Sequence, residues 1–526
     1  MLNVLFLILY FGFLVGAEDE VATNSFGIET EPSCASNQFK CKDGKCIPIS
    51  WHCDSSRDCD DGSDEPEDCQ KNHNCRSDQF QCTLTKKCLP TGWVCDEEKD
   101  CGVSPELGPD ISDEDPKRCT KEAKCKWNEA LCGEGTDCIP IIKFCDGHGD
   151  CSGNSDEWDF CQNYTEACNR LQCSFGCKPT PKGPQCYCPL GKKPLDNKCV
   201  DADECELDDS CSQSCTNTIG SYLCSCVPGY KLNGTDCTAI NFPPSEPPSL
   251  IFSTQTEIRR VTLEGKPFPG NSTLRLLNSN ALEFIHRNHT VCYVHHNVTK
   301  ASFMCANVND LNQRWSLNVA SPLLEVDLVQ QLALDWITEN WYFMDDQREI
   351  ILVCTHNLMW CNILVEYDLS KPRAITLDPT SGYLFFTKWG HSSPMLERVN
   401  MDGTDRRSIV DHTIVYPYGV TVDFPTKRVY WVDTYLDYVE RVDYDGRNRK
   451  TVLRGTKVQN LYGITVFQNS IFVSSWYNNS ILELHKFKHE EKSVVVNISR
   501  PFNVYVFHRQ RQPDDIISCF KVSNPV

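Results

Sequence analysis

No stretch of the 526 residues reaches about 18 consecutive apolar positions, so none is long enough to cross a bilayer as a hydrophobic helix. Bases are short of acids, 51 against 72. The net charge of −21 disfavours nucleic acid and anionic membrane, and favours metal ions or basic protein surfaces. Catalytic signatures are missing: there is no G-x-S-x-G elbow, no H-E-x-x-H pair, no phosphate loop and no dinucleotide fingerprint. These absences argue against an enzyme. Cysteine is sparse after residue 237, with five in the remaining chain, and helix-period stretches are few there.

What is present is unevenly placed. Thirty of the 35 cysteines lie between Cys34 and Cys237, and residues 1–240 hold 42 acids against 22 bases. The chain is too long for one core, so it divides into a string of small disulfide-stapled modules from an oxidising compartment and an ordinary globular domain. Val4 to Gly16 is apolar but short, and Val15-Gly16-Ala17 precedes an acidic stretch, as expected of a signal peptide over 1–17 and an acidic linker over 18–33. Sequons at Asn163, Asn233, Asn271, Asn288, Asn297, Asn478 and Asn497 are consistent with glycosylation and secretion.

The arm repeats itself. Cysteines 34, 41, 46, 53, 59, 69, then 75, 82, 88, 95, 101, 119, then 125, 132, 138, 145, 151, 161 form three sextets, each ending in an acidic cluster that contains Asp64-Glu65, Asp113-Glu114 or Asp156-Glu157. About 40 residues cannot bury a useful core, so crosslinks and a metal must replace it. Zinc would need free thiols, which an oxidising compartment consumes; hard oxygen ligands suit calcium. The plainer alternative is a solvated acidic face, but the recurrence of Asp-Glu at one offset from cysteine favours the metal.

The pattern F-x-C-x-x-G-x-C-I-P…W-x-C-D-x-x-x-D-C…S-D-E resembles the ligand-binding class A repeat of the low-density lipoprotein receptor family, in copies over 34–69, 75–119 and 125–161. The resemblance implies pairing of first with third, second with fifth and fourth with sixth cysteine. It also implies a calcium cage in each copy. In the first, Asp54, Asp58, Asp64 and Glu65 supply side chains, with carbonyls from Trp51 and Ser56. The second uses Asp96, Asp100, Asp113 and Glu114 with Trp93 and Glu98, and the third Asp146, Asp150, Asp156 and Glu157 with Lys143 and His148. An insertion, Val103 to Ile111, puts the last two ligands of the second copy in question, and Lys143 stands where the others have tryptophan.

Two further sextets, over 168–199 and 201–237, resemble epidermal-growth-factor modules, which implies pairing one to three, two to four and five to six. The second resembles the calcium-binding subtype, with side-chain oxygens from Asp201, Glu204 and Asn217 and carbonyls from Ala202, Thr218 and Ser221. Calcium is therefore expected at up to four sites.

After a proline-rich linker (238–249), core runs begin at Leu250, Cys292, Tyr342, Phe385, Tyr430 and Ile471, at intervals of 42, 50, 43, 45 and 41 residues. That period predicts four strands per unit and six units closed into a β-propeller over 250–510, with a sandwich as the structural alternative. Tyr430-Trp431-Val432-Asp433 resembles the YWTD signature. Lys388 replaces the acid in another unit, which predicts blades less well tied to their neighbours. Cys292 is expected to pair with Cys305, and Cys354 with Cys361; Cys519 is left over, in what resembles the start of a further growth-factor module (511–526), and predicts a disulfide dimer.

The fold class is thus multidomain and mostly β, and the module order resembles the amino-terminal part of a large receptor-related member of that family. Basic extracellular proteins or lipoproteins are the partners this implies, with a receptor-associated chaperone beside them and release without a membrane anchor. A structural matrix or adhesion scaffold is the competing class. An exposed aromatic beside carboxylates favours binding, because a scaffold has no use for it and an ammonium group does. The expected pockets are Trp51, Asp54 and Asp58 in the first module and Trp93, Asp96, Glu98 and Asp100 in the second, which should bind better. Lys143 and His148 make the third a spacer. Ten of the 13 histidines fall in the propeller, among them His295, His296 and His391, and make ligand release at low pH an expectation.

Overall fold

The structure, a computed structural model, describes residues 38–42, 46–48, 59, 61–64, 75, 79–90, 93–94, 99–104, 108–115, 119, 125 and 127–133. From 137 to 513 it describes all but 162–163, 208–209, 242–245, 277–280, 297–299, 391–393 and 489. The expected signal peptide, Asn163, Asn297, His391 and Cys519 lie outside the described residues.

Each class A module is built on one short hairpin, Gln38–Lys40 with Cys46–Pro48, Gln79–Gln81 with Cys88–Pro90, and Glu129–Leu131 with Cys138–Pro140. Disulfides supply what the hairpins cannot. Cys41–Cys59 and Cys82–Cys101 join second to fifth cysteine, and the third module has all three expected bonds, Cys125–Cys138, Cys132–Cys151 and Cys145–Cys161. Both growth-factor modules carry the expected one-to-three, two-to-four and five-to-six pattern, each bond closing a loop worth roughly 2 to 4 kcal/mol.

The second half forms six separate four-stranded antiparallel sheets, which sets aside the sandwich. Blade 2 runs Leu282–Ile285, Thr290–His296, Ala301–Asn307, Asp310–Ser316; blade 3 Val329–Leu334, Trp341–Asp345, Ile350–Cys354, Cys361–Val365. Blade 4 runs Pro372–Asp378, Tyr383–Lys388, Met395–Asn400, Arg407–Val410; blade 5 Pro417–Asp423, Arg428–Asp433, Tyr438–Asp443, Lys450–Arg454; blade 6 Leu461–Phe467, Ser470–Ser475, Ser480–His485, Glu491–Val495. Blade 1 takes Ser249–Ser253, Glu257–Thr262 and Thr273–Arg275 and borrows its innermost strand, Val504–Phe507, from the far end of the ring. Every core run read from the sequence is the second strand of a blade. Its apolar side chains pack between neighbouring sheets, as Trp431 does with Phe385 and Val422.

Blade tethers differ from expectation in one respect. Asp433, fully buried, accepts the amides of Val415 (2.6 Å) and Tyr416 (3.0 Å) in the linker into its own blade, and burial pushes its carboxyl up to about 6. Lys388 does not loosen blade 4. Its buried ammonium donates to the carbonyl and carboxylate of Asp368, both at 2.8 Å, and pairs with Glu397 at 2.9 Å. The tether survives with donor and acceptor exchanged. The two propeller disulfides, Cys292–Cys305 and Cys354–Cys361, form as expected.

Contacts link the modules in series. Asn128 of the third class A module donates to the Lys192 carbonyl (2.9 Å) and accepts from the Cys188 amide (2.7 Å). The Ala202 amide donates to the Gly191 carbonyl (3.0 Å) between the growth-factor modules, where a Cβ on Gly191 would stand 1.9 Å from the Gly220 oxygen. Asn469 donates to Asp236 (2.7 Å) where the second growth-factor module meets blade 6.

Candidate functional site

The acidic ends of the modules fold around buried carboxylates. In the third, Asp156 accepts the amides of Asp150 (2.8 Å) and Cys151 (3.1 Å), while Glu157 accepts those of Asp146 (2.7 Å) and Gly147 (3.1 Å). In the second, Asp113 accepts the amides of Asp100 and Cys101, the equivalent pair. The insertion therefore leaves this aspartate in place. It forms a small hairpin, Val103–Ser104 with Gly108–Pro109, stapled by Asp110, whose carboxylate accepts the amides of Leu84 (2.6 Å), Thr85 (2.8 Å) and Ser112 (3.0 Å). Asp64 of the first module is likewise buried; Trp51, Asp54, Ser56, Asp58 and Glu65 lie outside the described residues, as do Asp96 and Glu98.

The donor set fits calcium. Asp113 Oδ1 and Glu204 Oε2 are buried with no hydrogen-bond partner among the described residues, an arrangement that is costly unless a cation meets them. In the second growth-factor module Asn217 Nδ2 donates to Asp201 (3.1 Å), which also accepts the Gly220 amide, so these two predicted ligands already converge.

Lys143 supports the reading of the third module as a spacer. Its ammonium lies 2.5 Å from Asp150 Oδ1, and this contact raises its pKa. The lysine that replaces the tryptophan wall occupies the acid a ligand would need.

Trp93 corrects an expectation. It is not an exposed wall: its ring is 4% exposed and packed on the outer rim of blade 5, edge-on to Tyr438 at 6.0 Å. Arg454, the last residue of blade 5, lies with Cζ 4.2 Å from the Trp93 ring centroid and pairs with Asp100. Aromatic face and carboxylate thus grip one guanidinium. Nothing in the sequence marks Arg454 for this role, since it stands 354 residues from Asp100. His295 and His296 sit on blade 2; the described contacts between the second module and the propeller do not run through them.

Comparison with known proteins fits this geometry. The profile of the low-density lipoprotein receptor domain class A matches residues 32–69 and 73–119, and that of the calcium-binding EGF domain matches 201–238. The chain is 33% identical over 375 residues to the vitellogenin receptor Yl of Drosophila melanogaster, covering 69% of this chain and 18% of that protein. It belongs to the low-density lipoprotein receptor family. To the vitellogenin receptor of Solenopsis invicta it is 32% identical over 378 residues, 68% of this chain and 20% of that one. To the low-density lipoprotein receptor-related protein 5-like protein of Homo sapiens it is 30% identical over 157 residues, 30% of this chain and 62% of that one. The chain spans about a fifth of the length of these vitellogenin receptors. As a family member it carries modules of the ligand-binding ectodomain type, and the three that a profile matches belong to two calcium-binding classes. Among the described residues no helix is long and apolar enough to cross a membrane.

Proposed function

We propose that this chain binds basic extracellular proteins or lipoproteins through its class A modules, with calcium holding the binding carboxylates in place. The observation that supports this reading is the internal one: a basic side chain, Arg454, already lies against Trp93 and Asp100. Lysine or arginine of a ligand would take the same place, with Asp96 and Glu98 beside it, and the first module would offer Trp51, Asp54 and Asp58. Bound calcium would draw on the cages named above and fix the orientation of these acids. The arm as seen is self-occupied, so a ligand for the second module must displace Arg454.

The disulfides favour an oxidising, extracellular setting, and the described sequon residues Asn233, Asn271, Asn288, Asn478 and Asn497 are all exposed. Two relatives are named for vitellogenin, which makes a vitellogenin-type protein the first natural ligand to test; a receptor-associated chaperone would compete for the same pockets.

The test is binding of calcium-loaded protein to immobilised polylysine, with and without chelator. Chelator-sensitive retention that weakens in Trp93→Ala and strengthens in Arg454→Ala is expected. Retention indifferent to chelator and to both changes would instead favour a scaffold.

A further inference from the structure

The channel through the ring is narrow, with a cavity of about 60 Å³ among residues that include Glu283 and Arg511. A larger recess, about 870 Å³, lies on the outer rim, where blade 1 is cut short. Its outermost strand, Thr273–Arg275, has three residues, against five in that of blade 6 (Glu491–Val495) and seven in that of blade 2 (Asp310–Ser316). Part of the wall of blade 6 and the edge of blade 2 therefore stay uncovered. Alternation along the strands decides which side chains fill the gap. Val261 packs in one cluster with Val495 of blade 6, so Glu257 and Arg259, at alternate positions before it, turn to the same side. Arg275 and Thr273, paired opposite them, do likewise. Gly265 closes one end, where a Cβ would stand 2.0 Å from the Val494 carbonyl oxygen, and Asn312 and Arg314 of blade 2 line the other.

This lining is basic in a chain that is not. Residues 241–526 hold 30 acids against 29 bases, yet in the recess Arg259, Arg260, Arg275 and Arg314 meet a single acid, Glu257. Glu257 pairs with Arg259. Arg275 and Arg314 are exposed and have no carboxylate partner among the described residues. Asp310, at the start of the same strand as Arg314, is held by Asn271 (3.0 Å) and Gln313 (3.0 Å). Arg260 is buried and turns towards blade 2, where it donates to Asn309 (2.8 Å) while its Nη2 finds no acceptor among the described residues. Other buried cations of the ring meet carboxylates, Lys388 with Asp368 and Glu397, Lys486 with Asp423, and Arg449 with Glu440. Arg260 does not, so its charge adds to the field of the recess without filling it.

We propose that this recess binds a sulfated glycosaminoglycan, independently of calcium. Sulfate groups match the guanidinium forks of Arg275 and Arg314. Ser272, Thr273 and Asn312 offer hydroxyls and an amide to sugar hydroxyls, and the exposed Val496 gives the rings an apolar wall. A flat bilayer surface cannot follow a recess cut between blades. No aromatic ring lines it, which removes the stacking platform that single-stranded nucleic acid uses. The arm, with 42 acids against 22 bases, would repel the same polymer, so the rim of the ring is where it can bind.

The test uses the full chain, its N-glycans trimmed to one sugar because the Asn271 sequon borders the recess, and a fluorescein-labelled heparin octasaccharide followed by fluorescence polarisation in calcium and in chelator. Saturable binding in both buffers is expected, lost with the desulfated probe and about tenfold weaker in the double variant Arg275→Gln, Arg314→Gln. Arg447→Gln, at an arginine of blade 5 whose side chain is 81% exposed, is the control and should bind as the wild type does. No saturable binding, dependence on calcium, equal binding of the desulfated probe, unchanged affinity in the double variant, or an equal loss in Arg447→Gln overturns the proposal. So does an octaphosphoserine peptide that displaces the probe at lower concentration than unlabelled octasaccharide, since the recess would then take a phosphoprotein. The probe comparisons need only the wild-type chain, so they decide even if the double variant does not fold. Val496→Glu, which sets an acid on the exposed wall, gives a further arm, expected to weaken binding severalfold; an unchanged affinity there counts against the site.

Discussion

Lys388 Nζ and the Asp368 carbonyl oxygen lie 2.8 Å apart, joining the second strand of blade 4 to the linker that leads into that blade. Glu397 and Arg406 complete the network, both within reach of the buried ammonium or its partner. Replacing Lys388 with Met leaves both Glu397 and the Asp368 carbonyl to Arg406 alone. Leaving a buried charge with no partner costs about 3 to 5 kcal/mol, an upper bound here because Arg406 still meets Glu397. A lowered denaturant midpoint, by an amount below that bound, is expected, and Lys388→Asp, which restores the residue of blade 5, should be no better because it faces two acids. A neutral Lys388→Asp would show that the exchanged tether carries no weight.

Arg454 should act as a latch on the second module. Arg454→Ala removes the cation over the Trp93 ring and its pairing with Asp100, a contact worth roughly 1 to 2 kcal/mol when shielded from water. Acrylamide should then quench Trp93 more readily and small-angle scattering should report a larger radius of gyration, while Arg454→Lys keeps most of the closed form. Unchanged scattering in Arg454→Ala would mean that other contacts hold the module down.

In a Trp93→Ala background, Lys143→Trp should restore some polylysine binding. The change supplies an aromatic wall and releases Asp150 from its 2.5 Å contact. His148 still stands where the second module has Glu98, so the gain should be smaller than the loss in Trp93→Ala. No gain at all would remove Lys143 as the reason for the spacer.

Glu283 gives stability a pH dependence of defined sign. Burial in the channel pushes its carboxyl up to about 8, against the Phe284 amide and Arg511, which pull it down. The folded chain therefore keeps a proton that the unfolded chain releases near the ordinary value of 4.5. Its stabilising contribution is complete below 4.5 and is lost as pH rises towards 8. Glu283→Gln should match the wild type in melting temperature near pH 4.5 and exceed it at pH 8.5; a constant difference across that range would contradict the assignment.

Chelation should loosen the arm and spare the ring. Hydrogen exchange should quicken at the amides of Asp100, Cys101, Asp150 and Cys151, which Asp113 and Asp156 hold, and stay slow in the central strands of blade 5. Equal quickening in both would mean that the cages do not depend on the metal.

Local chemistry is what the sequence made legible. The family resemblance carried by the cysteine pattern implied the described bonds of each module, and the recurrence of Tyr342, Phe385 and Tyr430 placed the second strands of blades 3, 4 and 5, because both patterns repeat along the chain. Contacts between distant stretches leave no such trace. Trp93 looked like an open wall because nothing near it in sequence covers it, and Arg454 looked like any strand-end arginine. Lys388 read as a lost acid, since the compensating Asp368 lies 20 residues earlier and outside the signature.

The pairing of Val504–Phe507 with Ser249–Ser253 also sets an order of events during synthesis. Blade 1 is the first to leave the ribosome and the last to be finished, since its innermost strand arrives about 250 residues after its second. Until Phe507 has emerged, Ser249–Ser253 presents an open edge, and so does every incomplete ring. The disulfide modules ahead of it have no such wait and can close as they appear. A stop codon anywhere in blades 2 to 6 would thus release a chain whose arm is folded and whose ring is an open sheet stack, a species for quality control to hold back rather than a smaller folded protein.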